Sequence, residues 1–381
     1  MYALRLIPTF FLLLVISACT APSFLQETPQ APPTLALPTA EPTDTAVAEL
    51  QPENTDKSPC ASDELLCVGL VIDAGLIDDK SFNQSAWEGA KRTGADLGAL
   101  VNYFELEIGS AQKFGIMHFV DQSYDVIVTV GFNWSEVTVE SAREYPEIYF
   151  IGVDQFQPEP IENLAGLVFQ EDHAGFLAGS LAAMLSDSGT IAAVLGTDLI
   201  PPVVLFKEGY IAGAQAINPD IEVIAVYHPG EISVAFNDPE WGAEQAVQML
   251  EDGADVIFSA GGNTGNGGLI EVANTGGAYC IGVDADQWQS LPEARPCLVS
   301  SALKKISNGV FELVARKKIG TPPNGNFVGD VGLAPFYSFD SIISAEVRAV
   351  LIEMNEGLAS GLIPTDGSYV YSDPPSIATP P

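Results

Sequence analysis

One pattern occurs twice in this chain. Asp125-Val-Ile-Val-Thr-Val-Gly131 leads to Ile151-Gly-Val-Asp154, and Asp255-Val-Ile-Phe-Ser-Ala-Gly261 leads to Ile281-Gly-Val-Asp284, with 29 residues from the first aspartate to the last in both. An apolar run ending on glycine, a span long enough for one helix, and a second run ending on Gly-Val-Asp make a strand-helix-strand unit. Two units of equal length imply two lobes built on one plan. The full set of runs rich in Val and Ile, at 68–72, 126–130, 148–153, 164–169, 191–195, 223–227, 256–260, 279–283 and 298–303, lacks in/out alternation. Strands read that way when helices cover both faces of their sheet. Amphipathic spans at 84–97, 136–145, 173–185, 241–251, 304–317 and 341–358 supply the helices. The expected fold is α/β, two similar three-layer lobes with parallel sheets joined by a hinge.

In open parallel sheets a ligand sits beyond the carboxyl ends of the strands. Asp73, Gly131, Asp154, Gly261 and Asp284 all fall there. Lobes that face each other would line a shared cleft with these groups, and closure about the hinge would enclose a small molecule. One or two of the aspartates are expected to cap following helices instead. The stretch 68–89 says most: a strand ends at Asp73, a loop carries Asp78 and Asp79, and Ser81-Phe82-Asn83 opens a helix. Phe82 at that junction can stack on a flat heteroaromatic ring while Asp73 and Asn83 address its edge; the competing role is a hydrophobic staple. The glycine-rich segment 261–268 lacks the Gly-Lys-Ser/Thr ending of a phosphate loop. It is expected to bring backbone against a neutral sugar, or to be a plain turn.

Composition narrows the partners. The chain has 381 residues, 47% of them hydrophobic, enough for two cores, and 15 Lys+Arg against 50 Asp+Glu give a formal charge of −35. Such a chain repels a phosphate backbone, so nucleic acid is a poor partner. Near the start, a mostly apolar run from Leu6 to Ile16 is followed by Ser17-Ala18-Cys19. The run is about half of the ~20 residues that span a bilayer, which makes it the core of a signal peptide, 1–18. Ile16-Ser17-Ala18-Cys19 resembles the bacterial lipobox, with Cys19 as the lipidation site; each buried CH₂ of an acyl chain contributes about 0.8 kcal/mol to holding the membrane. Residues 19–59, rich in Pro, Thr, Ala and Glu, are expected to be a disordered tether.

The four cysteines after Cys19 are Cys60, Cys67, Cys280 and Cys297, in no zinc or C-x-x-C spacing. In an exported chain, Cys60–Cys67 and Cys280–Cys297 are the favoured disulfides of three possible pairings, with a buried free thiol as the alternative for Cys280. His118, His173 and His228 are isolated, and neither Gly-x-Ser-x-Gly nor H-E-x-x-H occurs. No catalytic residue, metal or cofactor is expected. The aspartates from Asp73 to Asp79 also resemble the calcium-binding opening of nucleoside hydrolases, with Val71 in place of the leading aspartate. That leaves a calcium-dependent hydrolase as one alternative, and a sugar- or signal-binding receptor feeding a sensor as another.

Gly75-Leu-Ile-Asp-Asp-Lys-Ser-Phe-Asn-Gln84, Phe176-Leu-Ala-Gly179, Phe236-Asn-Asp238, Gly253-Ala-Asp-Val-Ile257, Ile281-Gly-Val-Asp-Ala-Asp-Gln287 and the stretch 300–305 together resemble one family. It is the basic membrane protein or purine nucleoside receptor group of substrate-binding lipoproteins that serve ABC transporters, similar to type 1 periplasmic binding proteins. The likeness runs from about Val68 to Leu303 and more weakly to Leu362. It implies an extracytoplasmic, lipid-anchored and monomeric receptor without enzymatic activity, partnered by an ABC permease and its ATPase. A nucleoside, a purine one first, would lie with its base between Phe82 and Phe236, with Trp241 in reserve for the latter. Asp73, Ser81 and Asn83 would address the base, and Asp284, Lys304 and backbone near Gly261 the ribose. Glu136, after Gly131, would replace a family aspartate at the ribose. The expected lobes are 66–170 plus about 300–365, and about 171–299, followed by a flexible tail at 366–381.

Overall fold

The computed structural model describes residues 58–375 apart from 63, 73–75, 107–109 and 373. The proposed signal peptide, Cys19, Asp73 and most of the tether lie outside the described residues. The tail expected to be flexible is described to residue 375 apart from 373 and is held on the second lobe: Tyr369 and Tyr371 pack against its core, and Tyr371 N–H donates to the Ala216 carbonyl at 2.7 Å.

The first lobe opens with β1 (Cys67–Ile72), α1 (Phe82–Leu97), β2 (Leu100–Glu105), α2 (Lys113–Val120), β3 (Val126–Val130), α3 (Ser135–Glu144), β4 (Tyr149–Val153) and β5 (Leu164–Val168). The second follows with α4 (Glu171–Leu185), β6 (Thr190–Leu195), α5 (Pro201–Ile217), β7 (Glu222–Tyr227), α6 (Ile232–Ala235), α7 (Pro239–Glu251) and β8 (Val256–Ala260). It continues through α8 (Gly262–Thr275), β9 (Tyr279–Asp284), α9 (Gln287–Ser290) and β10 (Leu298–Lys304). The chain then returns to the first lobe for α10 (Ile306–Lys318) and β11 (Gly325–Val328) before β12 (Val331–Leu333) and α11 (Ala345–Ala359) rejoin the second.

The sheets have the orders β2-β1-β3-β4-β5-β11 and β7-β6-β8-β9-β10-β12. The two orders match, and the first five strands agree in direction too, as the repeated unit implies; only the edge strands β11 and β12 run opposite ways relative to their neighbours. All pairings are parallel except β10 with β12. Alternate residues of one strand serve opposite layers: Val126, Val128 and Val130 pack toward α1 and α10, while Ile127 packs with Phe119, Trp134 and Ala142 of the other layer. Both sets are apolar because both faces are covered, which removes the alternation.

The lobe boundaries correct the expectation that 300–365 returns to the first lobe. Only α10 and β11 do so. Residues of β10 pair with β9, and α11 buries Val347, Val350, Leu351, Met354 and Leu358 in the core formed by α4 and α5. Three strands of chain therefore cross between the lobes, at 169–170, at Lys305 and at 329–330.

Helices α5 and α8 lie outside the amphipathic spans read from the sequence, and close packing explains both. A Cβ at Gly179 of α4 would lie 1.9 Å from the Tyr210 carbonyl oxygen, and one at Gly213 of α5 would lie 1.9 Å from that of Phe176. Likewise a Cβ at Gly242 of α7 would meet the Thr264 oxygen at 1.9 Å, and one at Gly267 of α8 the Pro239 oxygen at 2.0 Å. These glycines lower local helix propensity but let the backbones touch, so tertiary contact makes the helix. The segment 261–268 is thus the start of α8, neither a turn nor a loop. Cys60 pairs with Cys67 and Cys280 with Cys297, at Cα separations of 5.7 and 5.1 Å.

Candidate functional site

The carboxyl ends of both sheets face one pocket between the lobes, with about 790 Å³ of empty space including the part open to solvent. The first lobe contributes Asp79, Phe82, Asn83, Gly131, Phe132, Asn133 and Asp154 to its wall. The second contributes Val203, Phe206, Phe236, Gly261, Gly262, Asp284 and Lys304.

Two aspartates hold matching places in the repeat. Asp154 follows β4 and Asp284 ends β9, and their backbones take φ of +60° and +62°. That left-handed conformation is uncommon outside glycine and is better tolerated by Asp and Asn than by most residues. It turns the chain sharply at the strand end, and both aspartates are almost fully buried in the pocket wall.

Lys304, the last residue of β10, lies between them at a crossing point. Its Nζ donates to Asp154 Oδ2 and stands 3.0 Å from Glu171 Oε1, at the first residue of α4. Its ammonium also sits 5.0, 5.1 and 5.9 Å from the ring centroids of Phe82, Phe169 and Phe206. The side chain is 1% exposed. Burial alone pulls the ammonium pKa down, but the carboxylates of Asp154, Glu171 and Asp284 outweigh it and hold the lysine charged, well above its usual range. Burial pushes Asp154, Glu171 and Asp284 up, with Lys304 opposing in each case. Asp154 Oδ1 is buried and has no hydrogen-bond partner among the described residues.

Asp79 fixes the other side of the pocket. Its carboxylate accepts from the backbone N–H groups of Ser81 (2.9 Å), Asn83 (3.0 Å) and Gln84 (3.1 Å), which satisfies the open first turn of α1. Burial raises its pKa to about 6 against the pull of those three donors, and Asp284 adds to the rise. Phe82 is the first residue of α1, so the loop geometry determines where its ring stands.

Phe236 is held from behind. A Cβ at Gly196 would lie 2.4 Å from Phe236 Cε1, so only glycine lets the ring lie against that backbone. The Phe236 carbonyl accepts from Asn263 N–H at 3.0 Å. His228 braces the same loop: its Nδ1 accepts from Gly230 N–H at 2.9 Å, which assigns the ring proton to Nε2, 3.2 Å from Asp238 Oδ2.

Of the residues singled out in the sequence, Phe82, Asn83, Gly131, Asp154, Phe236, Gly261, Asp284 and Lys304 line the pocket. Ser81 is buried beside it, its Oγ donating to Asp284 Oδ2 at 2.9 Å and to the Val283 carbonyl at 3.3 Å. Trp241 packs edge-on against His228, with centroids 4.7 Å apart, away from the pocket wall. Glu136 is a correction. It lies in the first turn of α3 with its side chain exposed, outside the wall, and the buried first-lobe carboxylate there is Asp154. The lysine too differs from the helix-start position expected of it, since it ends a strand and is buried.

Glu171 and Phe206 gave no local signal, because α4 and α5 reach the site only through the packing of the lobes. Asp154 stands where its strand-end place puts it, and Asp79 lies in the loop before α1 that the sequence marks as informative. Asp78 and Asp79 do not converge as calcium ligands: Asp78 pairs with Lys80 at 2.5 Å, while Asp79 is occupied by backbone N–H groups. Among the described residues there is no group of three or more His, Cys, Asp or Glu placed to hold a metal ion.

Comparison with known proteins agrees with this architecture. A family model described as "ABC transporter substrate-binding protein PnrA-like" matches residues 67–328. The chain is 34% identical over 251 residues to basic membrane protein A1 of Borrelia garinii subsp. bavariensis, covering 65% of this chain and 71% of that protein. It is 28% identical over 283 residues to a protein of Lactococcus lactis subsp. cremoris named ABC transporter nucleoside-binding protein BmpA, covering 69% and 78%. The crystal structure of an ABC transporter solute-binding protein from Aeropyrum pernix K1 superposes with a TM-score of 0.68 at 27% identity, covering 78% of this chain and 92% of that one. The chain belongs to the PnrA-like basic membrane protein family of ABC-transporter substrate-binding proteins, on a type I periplasmic-binding-protein fold.

Proposed function

We propose that this protein binds a nucleoside, a purine nucleoside first, in the pocket between its lobes and delivers it to an ABC permease from the outer face of the membrane, anchored through Cys19. The carrying observation is that Phe82 and Phe236 line one pocket from opposite lobes. Two such rings suit a flat base presented between them, and each stacked face contributes about 1–3 kcal/mol.

The remaining wall suits a polyol. Asp154 and Asp284 accept hydroxyl donors, and Asp154 Oδ1 is left without a partner among the described residues. Two stacking faces together with charge-assisted hydrogen bonds are enough for micromolar affinity, about −8.2 kcal/mol. The wall carries the acids Asp79, Asp154 and Asp284 against Lys304, whose charge is already taken up by Asp154 and Glu171, so a neutral ligand fits better than a phosphorylated one. The name of the Lactococcus relative points the same way. Binding and handover need no bond-making step, in keeping with a solute-binding family.

A thermal-shift panel of nucleosides, nucleobases, nucleotides and sugars tests the reading. Nucleosides at 100 times Kd should stabilise the protein by about 2.7 kcal/mol, and sugars alone should not. Stabilisation by sugars without any response to nucleosides would move the protein to the sugar-receptor class.

A further inference from the structure

The two lobes use equivalent glutamines differently. Gln155 comes one residue after Asp154 and Gln287 three after Asp284, yet each places its side-chain oxygen against the glycine of its Gly-Val-Asp, 2.3 Å from where a Cβ would stand at Gly152 and 2.2 Å at Gly282. Gln155 spends its Nε2 inside its own lobe, on the Thr129 carbonyl (3.1 Å), the Thr129 hydroxyl (3.0 Å) and the Gly131 carbonyl (3.0 Å). Gln287 instead turns its Nε2 to Asn266 Oδ1 at 2.8 Å and, across the cleft, toward the Lys80 carbonyl at 3.4 Å. Asn266 comes from the glycine-rich start of α8, and it also crosses the cleft: its Nδ2 donates to the Asp79 carbonyl at 2.7 Å.

The direction of this relay is forced. Gln287 Oε1 accepts from Val283 N–H at 2.9 Å, so its Nε2 must be the donor; Asn266 Oδ1 must then accept, which leaves Nδ2 to reach the first lobe. Ser290 Oγ adds a bond to the Lys80 carbonyl at 2.7 Å. All three second-lobe side chains therefore grip residues 79 and 80, where Lys80 has a left-handed φ of +59°. Through the Asp79 carboxylate that loop is tied to the first turn of α1, which begins with Phe82.

From this we infer that Asn266, oriented by Gln287, is a positioning residue that latches the 79–81 loop in the closed cleft and thereby sets how long a ligand stays under Phe82. The inference rests on the reading of the interlobe pocket as the small-molecule site. Asn266→Asp keeps shape and the bond from Gln287 but cannot donate to the Asp79 carbonyl, and Asn266→Ala removes both bonds.

Two measurements on the full chain test it. Hydrogen exchange without ligand should show the amides of Ser81, Asn83 and Gln84 exchanging faster in both variants, with β3, β4, β8 and β9 protected as in the wild type. Stopped-flow with adenosine should give dissociation at least about tenfold faster, with association changed less than about twofold, as expected when a contact made only after encounter is lost. Unchanged exchange at those three amides would overturn the latch whatever the ligand. Unchanged dissociation from a wild type that binds adenosine would overturn it too. A wild type that binds no nucleoside would overturn the nucleoside reading, and the exchange result would still decide the latch.

Discussion

Asp154 and Asp284 stand at equivalent strand ends of two sheets with matching strand order, with φ within a few degrees of each other, and both line the same pocket. Their surroundings differ: Asp154 receives Lys304, whereas Asp284 receives the Ser81 hydroxyl from the opposite lobe. A duplicated scaffold has thus become an asymmetric site, with the cation on one carboxylate and a cross-lobe hydrogen bond on the other.

Replacing either aromatic tests its part in stacking. Phe82→Ala and Phe236→Ala should each weaken nucleoside binding by about 1–3 kcal/mol, roughly 5- to 150-fold, in titration calorimetry. Both side chains are only partly buried, so cooperative unfolding should persist. An affinity equal to the wild type would remove that ring from the site.

Asp154, and not Glu136, is the first-lobe carboxylate in the pocket wall. Glu136→Ala should leave affinity within about twofold, as for exposed side chains remote from a site. Asp154→Asn should weaken binding by about 1.5–3 kcal/mol, the range for a hydrogen bond to a charged group. Equilibrium titration of the two variants side by side separates them, and the reverse order would restore Glu136.

Lys304 stabilises the buried acids around it. Lys304→Met leaves Asp154 and Glu171 buried without their cation and should cost about 3–5 kcal/mol in urea unfolding. Adding Asp154→Asn and Glu171→Gln removes the uncompensated charge and should recover most of that loss. A triple variant no more stable than Lys304→Met would show that packing of the lysine stem, and not charge, carries the effect.

Asp79 should leave a signature in the pH dependence of stability. Its folded pKa, about 6, lies above the ordinary 3.8. Between those values the folded state holds the proton more tightly than the unfolded chain, so stability contributed at low pH is lost as pH rises through the folded pKa. The loss is about 3 kcal/mol for a group shifted this far. Asp79→Asn cannot titrate, so its stability relative to the wild type should improve by about 2 kcal/mol from pH 4 to pH 6.5, part of the loss lying below pH 4. Parallel pH profiles would contradict the raised pKa.

Much of this architecture was legible in the residues. The matched spacing of Asp125 to Asp154 and Asp255 to Asp284 implied paired lobes, and strand-end placement brought Gly261 and Asp284 to the cleft. Phe82 stood out because an aromatic follows a polar loop at a helix start. The remainder depends on contacts between residues far apart in sequence. Helix α8 carries four glycines in its first seven residues and is helical because α7 lies against it. Glu171 meets Lys304 only because two crossings bring the start of α4 beside the end of β10. The family resemblance put Glu136 at the site, but its place in the first turn of α3 leaves it exposed, and the first-lobe carboxylate that lines the pocket at a strand end is Asp154.

Isothermal titration of the purified chain with adenosine, guanosine and inosine decides whether the interlobe pocket is a nucleoside site. One molecule per chain with micromolar or tighter affinity, weakened when Phe82 and Phe236 are both replaced by alanine, is the expected result. No heat with any nucleoside, or binding that survives loss of both rings, would mean that the cleft between the lobes serves another ligand.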